Sequence, residues 1–444
     1  MAPTAARTGV TRRGVLAAAG TALLTACGQA RQPATSPSSG PERAPVTISY
    51  VHLGEQVFYE MNVEAAREFK AAHPHITVEV TWTQGVNLYE KVQQLYLANE
   101  APDVWEPAAA YFPDWVARGT LRDLSDYIRR DQGKGGFDLN DIWPKYRRSG
   151  EYKGRLYGLL CRFTVNALFY NQDLLERAGV PFPSDRWTWD DLFDAARKTA
   201  RDADRDGKLD TYGYVIYVWN HTFWAHGGEM LVQKGDRWRA TFAEPRGIEG
   251  LQFLADMMHK HRVAAKPSEV AGNRQIDVFI QGQAALSDQR VTRVPDVRKA
   301  NNAALRWDVG PLPRGRAGRF SYGTGVNRSI AAPSKYPEEA WLFVRFLFTK
   351  PEIATISIPP NMSFSRSPKF LQAYDQPKNM AAFLDAIAYS KDYPVEVQRW
   401  PELEQLLTPE LRPLWEGQAE AKAVAEAIDR RLNAQLAEWG MLAA

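Results

Sequence analysis

Cysteine is almost missing from this chain of 444 residues, which holds 2, Cys27 and Cys161. That excludes a disulfide framework and a CxxC metal site. An excess of one charge sign is also missing. The formal net charge is +3, and residues 1–26 hold Arg7, Arg12 and Arg13 without any acid; the remainder carries 52 basic and 52 acidic side chains. No basic surplus is left to draw the body to nucleic acid or to an anionic bilayer. Long hydrophobic runs are lacking as well. The run 15–26 is shorter than the roughly 20 apolar residues that span a bilayer, and no later segment reaches that length. The 7 His include no pair at the H-x₃-H spacing that puts two ligands on one helix face, which speaks against metal uptake. No internal repeat is visible. Among the 52 acids, no local motif nominates the two opposed carboxylates of a glycoside hydrolase. The chain is therefore expected to be a non-enzyme.

Aromatic residues, in contrast, are abundant. They make up 11% of the chain, with 14 Trp and 18 Tyr, against 45% apolar and 24% charged residues. A core accepts Trp and Tyr where their polar ends find partners, and the excess leans toward stacking on a ligand. The length suits two or three domains at about 100–200 residues each.

The N-terminal residues read as an address. Arg12-Arg13 precede the short apolar run, which ends in Leu24-Thr25-Ala26-Cys27. A basic region followed by such a run is a secretory signal, here residues 1–26. Leu-Thr-Ala-Cys resembles a bacterial lipobox, which implies lipidation at Cys27, and Thr11 to Leu16 resembles a twin-arginine export signal. Residues 27–45 carry few large apolar side chains, so they are expected to form a flexible tether. The expected location is extracytoplasmic, lipid-anchored to the cell membrane.

Beyond residue 45 the pattern alternates. Residues 46–51 and 76–82 read as strands, 58–72 and 88–99 as helices, and Pro102-Asp103-Val104-Trp105 opens a third strand. Thr188 is placed to cap a helix over 191–201. Residues 337–348 read as an amphipathic helix, and 403–439 as a charged helical tail. Strands alternating with helices imply an α/β fold with parallel pairing. In such sheets ligands gather at the carboxyl ends of the strands.

Several short motifs follow in a fixed order: His73-Pro74, Pro102-Asp103-Val104, Tyr157-Gly158, Leu168-Phe-Tyr-Asn171-Gln-Asp-Leu-Leu, Trp187-Thr-Trp-Asp190, Gly282-Gln-Ala-Ala285, Trp307-Asp-Val-Gly-Pro-Leu-Pro313 and Ala340-Trp-Leu-Phe343. Over about residues 46–440 the chain thus resembles the extracellular solute-binding proteins of ABC importers, in the sugar-binding group that includes maltose-binding protein. That resemblance implies a two-lobe periplasmic-binding-protein-like fold with three crossing segments, near 160–164, 311–320 and 359–366. Lobe 1 is expected to comprise residues 46–161 plus 314–360, and lobe 2 residues 162–313 plus 361–444. It further implies a monomer that captures a sugar or oligosaccharide by hinge closure and hands it to ABC permease subunits with their ATPase. A peptide, polyamine or other solute in the same fold is the alternative, and a secreted glycoside hydrolase a distant third.

The loops facing such a cleft offer Glu55, Gln84, Glu106 and Tyr111 from the first lobe. The second offers Trp219 and His221, with Asp288, Arg290, Tyr322 and Arg366 near the crossings. Trp219 is the chief stacking candidate, and carboxylates such as Glu106 and Asp288 suit sugar hydroxyls because each accepts several hydrogen bonds. Arg290 stands where the resembled family usually continues toward Gly and Trp. That departure implies either an anionic sugar or an ion pair with Asp288. Asp202, Asp204, Asp206 and Asp210 have the oxygen spacing of a calcium loop, though its twelfth position is Gly213 rather than an acid. No cofactor is expected beyond that structural calcium.

Overall fold

Val46–Leu53 (β1) and Ile76–Thr83 (β2) are rich in β-branched residues and pair in parallel, from Val46↔Ile76 to Leu53↔Thr83. Such a pair needs a crossover, supplied by helix Gln56–Ala72 (α1). This helix buries Phe58, Asn62, Ala65, Ala66 and Phe69, the three-and-four spacing of one helical face. Helix Asn87–Leu97 (α2) follows, and Val104–Trp105 (β3) joins the other side of β1. The structure is a computed structural model. It describes residues 44–443 apart from 55, 84–86, 271–273, 395, 396 and 398. The signal, Cys27 and almost all of the tether therefore lie outside the described residues.

Leu159–Asn171 (β4) is the strand on which the architecture turns. It is 13 residues long and buried along almost its whole length. Further along come Tyr212–Val215 (β5), Ala284–Arg290 (β6), Trp307–Gly310 (β7), Ser321–Ile330 (β8) and Ser390–Lys391 (β9). The first part of β4 pairs antiparallel with β8, Leu159↔Arg328 to Val165↔Gly323. Its second part pairs with β6 and β7. The opposite end of β8 reaches β3, Ser329↔Trp105. The sheet order is β2-β1-β3-β8-β4-β6-β5, with β7 also on β4 and β9 also on β8. Two strands thus link a β1–β3 half to a β5–β7 half. A third segment lies beside them: Ile358 exchanges backbone hydrogen bonds with Phe163, and Asn361 bridges Ile142.

The crossing segment expected near 311–320 is displaced along the chain. Residues 314–319, Arg-Gly-Arg-Ala-Gly-Arg, fold into a tight two-stranded turn, Arg314–Gly315 against Gly318–Arg319. Gly318, at φ +130°, supplies a conformation closed to other residues. The long strand begins only at Ser321. Gly323 and Gly325 matter for a different reason. A β-carbon on Gly323 would lie 2.6 Å from the Tyr146 hydroxyl and 2.7 Å from Ser390 Cβ, and one on Gly325 would lie 3.0 Å from Leu160. Here β8 runs too close to its neighbours for side chains.

The helices follow the sequence signals closely. In Trp189–Thr199 (α3) the Thr188 hydroxyl accepts from the Asp191 amide while the Asp191 carboxylate accepts from the Thr188 amide, a complete capping box. Asn220–His226 (α4) and Pro245–Met258 (α5) pack together. Pro337–Phe348 (α6) has the expected bounds. The charged tail is two helices, Trp400–Trp415 (α7) and Ala421–Glu438 (α8), split at Gly417, whose φ is +72°. One apolar cluster runs from Ile48, Tyr50 and Phe69 across β4 to Phe169, Phe279 and Trp307. A second unites α4, α5, α7 and α8.

Candidate ligand-binding cleft

A cavity of about 770 Å³ opens where β8 passes between the two halves, with Gly323 and Gly325 on its floor. The absence of side chains at those glycines leaves room for a guest beside the strand. From the first half come Phe112 and Pro113, just beyond β3, and the 145–153 segment with Tyr146 and Tyr152. From the second half come Trp224 on α4, Trp238, and the segment Lys391-Asp392-Tyr393-Pro394.

Each aromatic wall is held by its own support. Trp224 lies on α4 with its indole under the Lys391 ammonium, 5.2 Å from the ring centre. Trp238 sits on the hairpin Leu231–Lys234/Arg237–Ala240. Its backbone is clasped by the chain's last turn: Trp238 donates to the Met441 carbonyl at 2.8 Å and accepts from the Ala443 amide at 2.8 Å. Tyr393 stacks on Trp400 at 5.2 Å and packs against Tyr322 at 4.9 Å. The Tyr393 hydroxyl hydrogen-bonds to Glu404, whose carboxyl burial pushes up. Across the cavity, the Tyr146 hydroxyl and Ser390 Oγ lie 2.9 Å apart and tie the halves beside the floor. Two charge pairs complete the rim: Arg148 grips Glu151 with two nitrogens, and Lys391 Nζ reaches both oxygens of Glu229 at 2.6 and 2.7 Å.

The residues nominated from sequence fall elsewhere. Glu55 and Gln84 lie outside the described residues. Glu106 is fully buried beneath the cleft and has no free valence for a sugar. Its carboxylate takes Arg162 Nη1 at 2.7 Å, Arg328 Nε at 3.0 Å, His52 Nδ1 at 3.0 Å and the Tyr50 hydroxyl. Burial opposes its charge, but Arg162, His52 and Arg328 outweigh that and hold its carboxyl well below the usual range. Burial also lowers His52, against the pull of Glu106. Arg162 additionally donates to the Leu53 carbonyl, tying the end of β1 to the crossing strand.

Tyr111 stacks on Tyr89 with ring centres 3.5 Å apart. Trp219 is half-buried, 5.6 Å from Phe223 and 6.2 Å from Phe242, and lines a separate cavity of about 130 Å³. His221 and Asp288 are both fully buried. His221 stacks on Trp189, and burial pushes it down to about 3. Asp288 accepts from the Tyr214 hydroxyl at 2.7 Å and from the amides of Tyr217 and Val218 at 2.9 and 2.8 Å. Burial still raises it to about 7. It braces a turn. Tyr322 packs against Tyr393, and the Arg290 guanidinium lies 5.1 Å from the Tyr322 ring centre. Arg366 lies over Trp143, 4.8 Å from the ring centre. None of these eight residues lines the 770 Å³ cavity.

Trp224, Trp238, Tyr152 and Tyr393 were not among the nominated residues. One signal was available for Trp224. Residues 220–226 form a helix, which turns Trp224 well away from Trp219, so the two indoles serve different faces. In the Asp-rich loop, carboxylates of Asp202, Asp204 and Asp210 lie within 4.8 Å of one another, and Asp206 is outside the group. Asp206 instead accepts from the Lys208 amide at 2.7 Å. The twelfth position, Gly213, is packed so that a β-carbon would lie 2.1 Å from the Ala196 carbonyl.

Two halves joined by shared strands, with an aromatic-walled cavity at the joint, define a protein that encloses a small guest. The chain belongs to the family described as bacterial extracellular solute-binding protein, whose profile it matches over residues 54–353. It is 24% identical over 393 residues to a binding protein of Brucella abortus, covering 84% of this chain and 89% of that one. It is 23% identical over 316 residues to the arabinooligosaccharide-binding protein of Bacillus subtilis, covering 66% of each. Its fold matches the ABC substrate-binding protein of Listeria monocytogenes in complex with cycloalternan, with a TM-score of 0.77 at 22% identity over 88% of this chain and 99% of that one. The fold is therefore the two-lobe solute-binding fold expected from sequence.

Proposed function

We propose that this protein captures a sugar or oligosaccharide between its lobes and delivers it to an ABC importer. The observation that carries this reading is the cavity of about 770 Å³ walled by Trp224, Trp238, Tyr152 and Tyr393. Its size falls in the roughly 300–1,000 Å³ range of small-molecule sites. Indole and phenol faces stack on the C–H faces of a pyranose, while the surrounding hydroxyls and charged groups match its hydroxyls. The sugar ligands of the Bacillus and Listeria relatives support the same reading. The lobe boundaries fall on β4 and β8, and closure is a hinge motion about those strands. The Leu24-Thr25-Ala26-Cys27 sequence supports a lipid anchor at Cys27 on a protein that works as a monomer. Asp202, Asp204 and Asp210 are the carboxylates that would hold a structural calcium.

A thermal-shift screen against mono- and oligosaccharides tests the proposal. A guest that binds only the folded protein raises the melting temperature by mass action. At least one carbohydrate is expected to do so, and Trp224→Ala to remove the shift. A screen in which peptides or polyamines shift the protein and no carbohydrate does would overturn it.

A further inference from the structure

We propose that Glu106 is a positioning residue for cargo capture: one buried carboxylate pins both crossing strands to the first half, so that opening and closing bend them only beyond Arg162 and Val326. The inference rests on reading the protein as two halves that close about β4 and β8. Glu106 follows β3 and accepts from Arg162 Nη1 on β4 at 2.7 Å and from Arg328 Nε on β8 at 3.0 Å. Each arginine has a second hold on the same half. Arg162 donates to the Leu53 carbonyl at the end of β1, and Arg328 Nη2 donates to Asn62 Oδ1 on α1 at 3.2 Å. Glu106 and Asn62 are fully buried, and both arginines are nearly so. Parting a buried charge from its partners leaves it uncompensated in the interior, so bending that breaks this cluster costs far more than bending that spares it.

A β-bulge builds the clamp. Leu160 pairs with Asn327 and Arg162 with Val326, which leaves Cys161 as an extra residue on β4. Leu159 stands opposite Arg328, so Cys161 shares the face of Arg328, and regular alternation would send Arg162 to the other face. The bulge brings it back. Cys161 Sγ lies 3.8 Å from Glu106 Oε1, while Arg162 reaches Glu106 Oε2. Cys161 Sγ also donates to the Val326 carbonyl at 3.1 Å, across the bulge. Beyond the clamp the composition changes. Residues 163–166, Phe-Thr-Val-Asn, and 321–325, Ser-Tyr-Gly-Thr-Gly, hold no charged side chain. Gly323 and Gly325 also leave that stretch of β8 with fewer side-chain contacts to resist bending.

The test needs no ligand. Nitroxides on ketone-bearing residues substituted for the exposed Leu97 and Val232, one in each half, report the distance between the halves of the full chain in detergent by pulsed electron resonance. Glu106→Gln keeps the shape and removes the charge, and Arg328→Lys keeps the charge and removes the Nε contact. Each is expected to widen the distance distribution by about 1.5-fold or more, as states that the clamp disfavours become populated. Asp131→Asn is the control: it disturbs a buried cluster with Trp341 and Arg345 in the first half, away from the crossing strands, and is expected to leave the width unchanged. The Arg328 variant carries the test if Glu106→Gln does not fold. Unchanged widths in the clamp variants overturn the inference, and so does equal widening in Asp131→Asn, the mark of general loosening. Amide exchange locates the bend. Residues 321–325 of the wild type are expected to exchange about tenfold faster than residues 327–330, and equal rates overturn the placement. Either failure leaves the carbohydrate reading standing, which the thermal screen tests separately.

Discussion

Replacing Asp288 with Asn is expected to expose an acid sensitivity that the wild-type chain hides. Asp288 and His221 lie 3.7 Å apart, both fully buried. Burial raises Asp288 from 3.8 to about 7, so the folded protein holds a proton there that the unfolded chain has released. The stability this contributes is fully present below about pH 3.8 and is lost as pH rises toward 7. Burial lowers His221 from 6.5 to about 3, so the unfolded chain takes up a proton there that the folded protein refuses. That contribution is present above about pH 6.5 and is lost as pH falls toward 3. Each group alone changes stability by about 1.4 kcal/mol per pH unit across its window. Between about pH 4 and 6.5 the two slopes are opposite and cancel. Asp288→Asn leaves the His221 slope, so stability is expected to fall by about 3 kcal/mol from pH 6 to pH 4 relative to wild type. His221→Asn leaves the other slope, and its stability is expected to fall as pH rises over the same interval. Urea unfolding at pH 4, 5 and 6 measures both. Parallel curves for the wild type and the two variants would refute the linkage.

Three further outcomes follow from the packing. Gly323→Ala drives a β-carbon against the Tyr146 hydroxyl and Ser390, an overpacking expected to cost about 1–3 kcal/mol and to show as a lower melting temperature; an unchanged value would mean that β8 has slack at the cavity floor. Arg328→Met removes one partner of the buried Glu106 carboxylate, with an expected loss of about 3–5 kcal/mol in a denaturant titration. Calcium added to the metal-stripped protein is expected to raise its melting temperature, with the rise abolished in Asp204→Asn; a rise that survives the substitution would place the ion elsewhere.

Much of the fold was legible because its signals are local. The β-branched strands 46–53 and 76–83, the Thr188 cap and the helix 337–348 each declare themselves within a few residues. The displaced second crossing shows the limit. A Gly- and Arg-rich stretch and the strand after it adjoin in sequence, and only the pairing of β8 with β4 separates turn from strand. The cleft was less legible for two reasons. Its walls, Phe112, Trp224 and Tyr393, are more than a hundred residues apart and meet only through the crossing strands. In addition, Glu106 follows β3, Asp288 lies within β6 and His221 opens α4, places where a polar side chain reads equally well as a ligand contact. Burial and existing partners assign them to the protein's own interior, and neither is written in residue type. Arg290 was noticed for its departure from a family pattern, and the structure adds that its expected partner is already engaged.

The clasp between Trp238 and residues 441–443 couples that turn to one wall of the cavity. An indole that lines the cavity is anchored by the backbone of residues 441–443, so deleting those residues would unfasten one wall of the chamber while sparing the sheet. An affinity handle fused directly after residues 441–443 would pull on the same fastening. Preparations tagged at opposite ends should therefore be compared before any measured sugar affinity is ascribed to the native molecule.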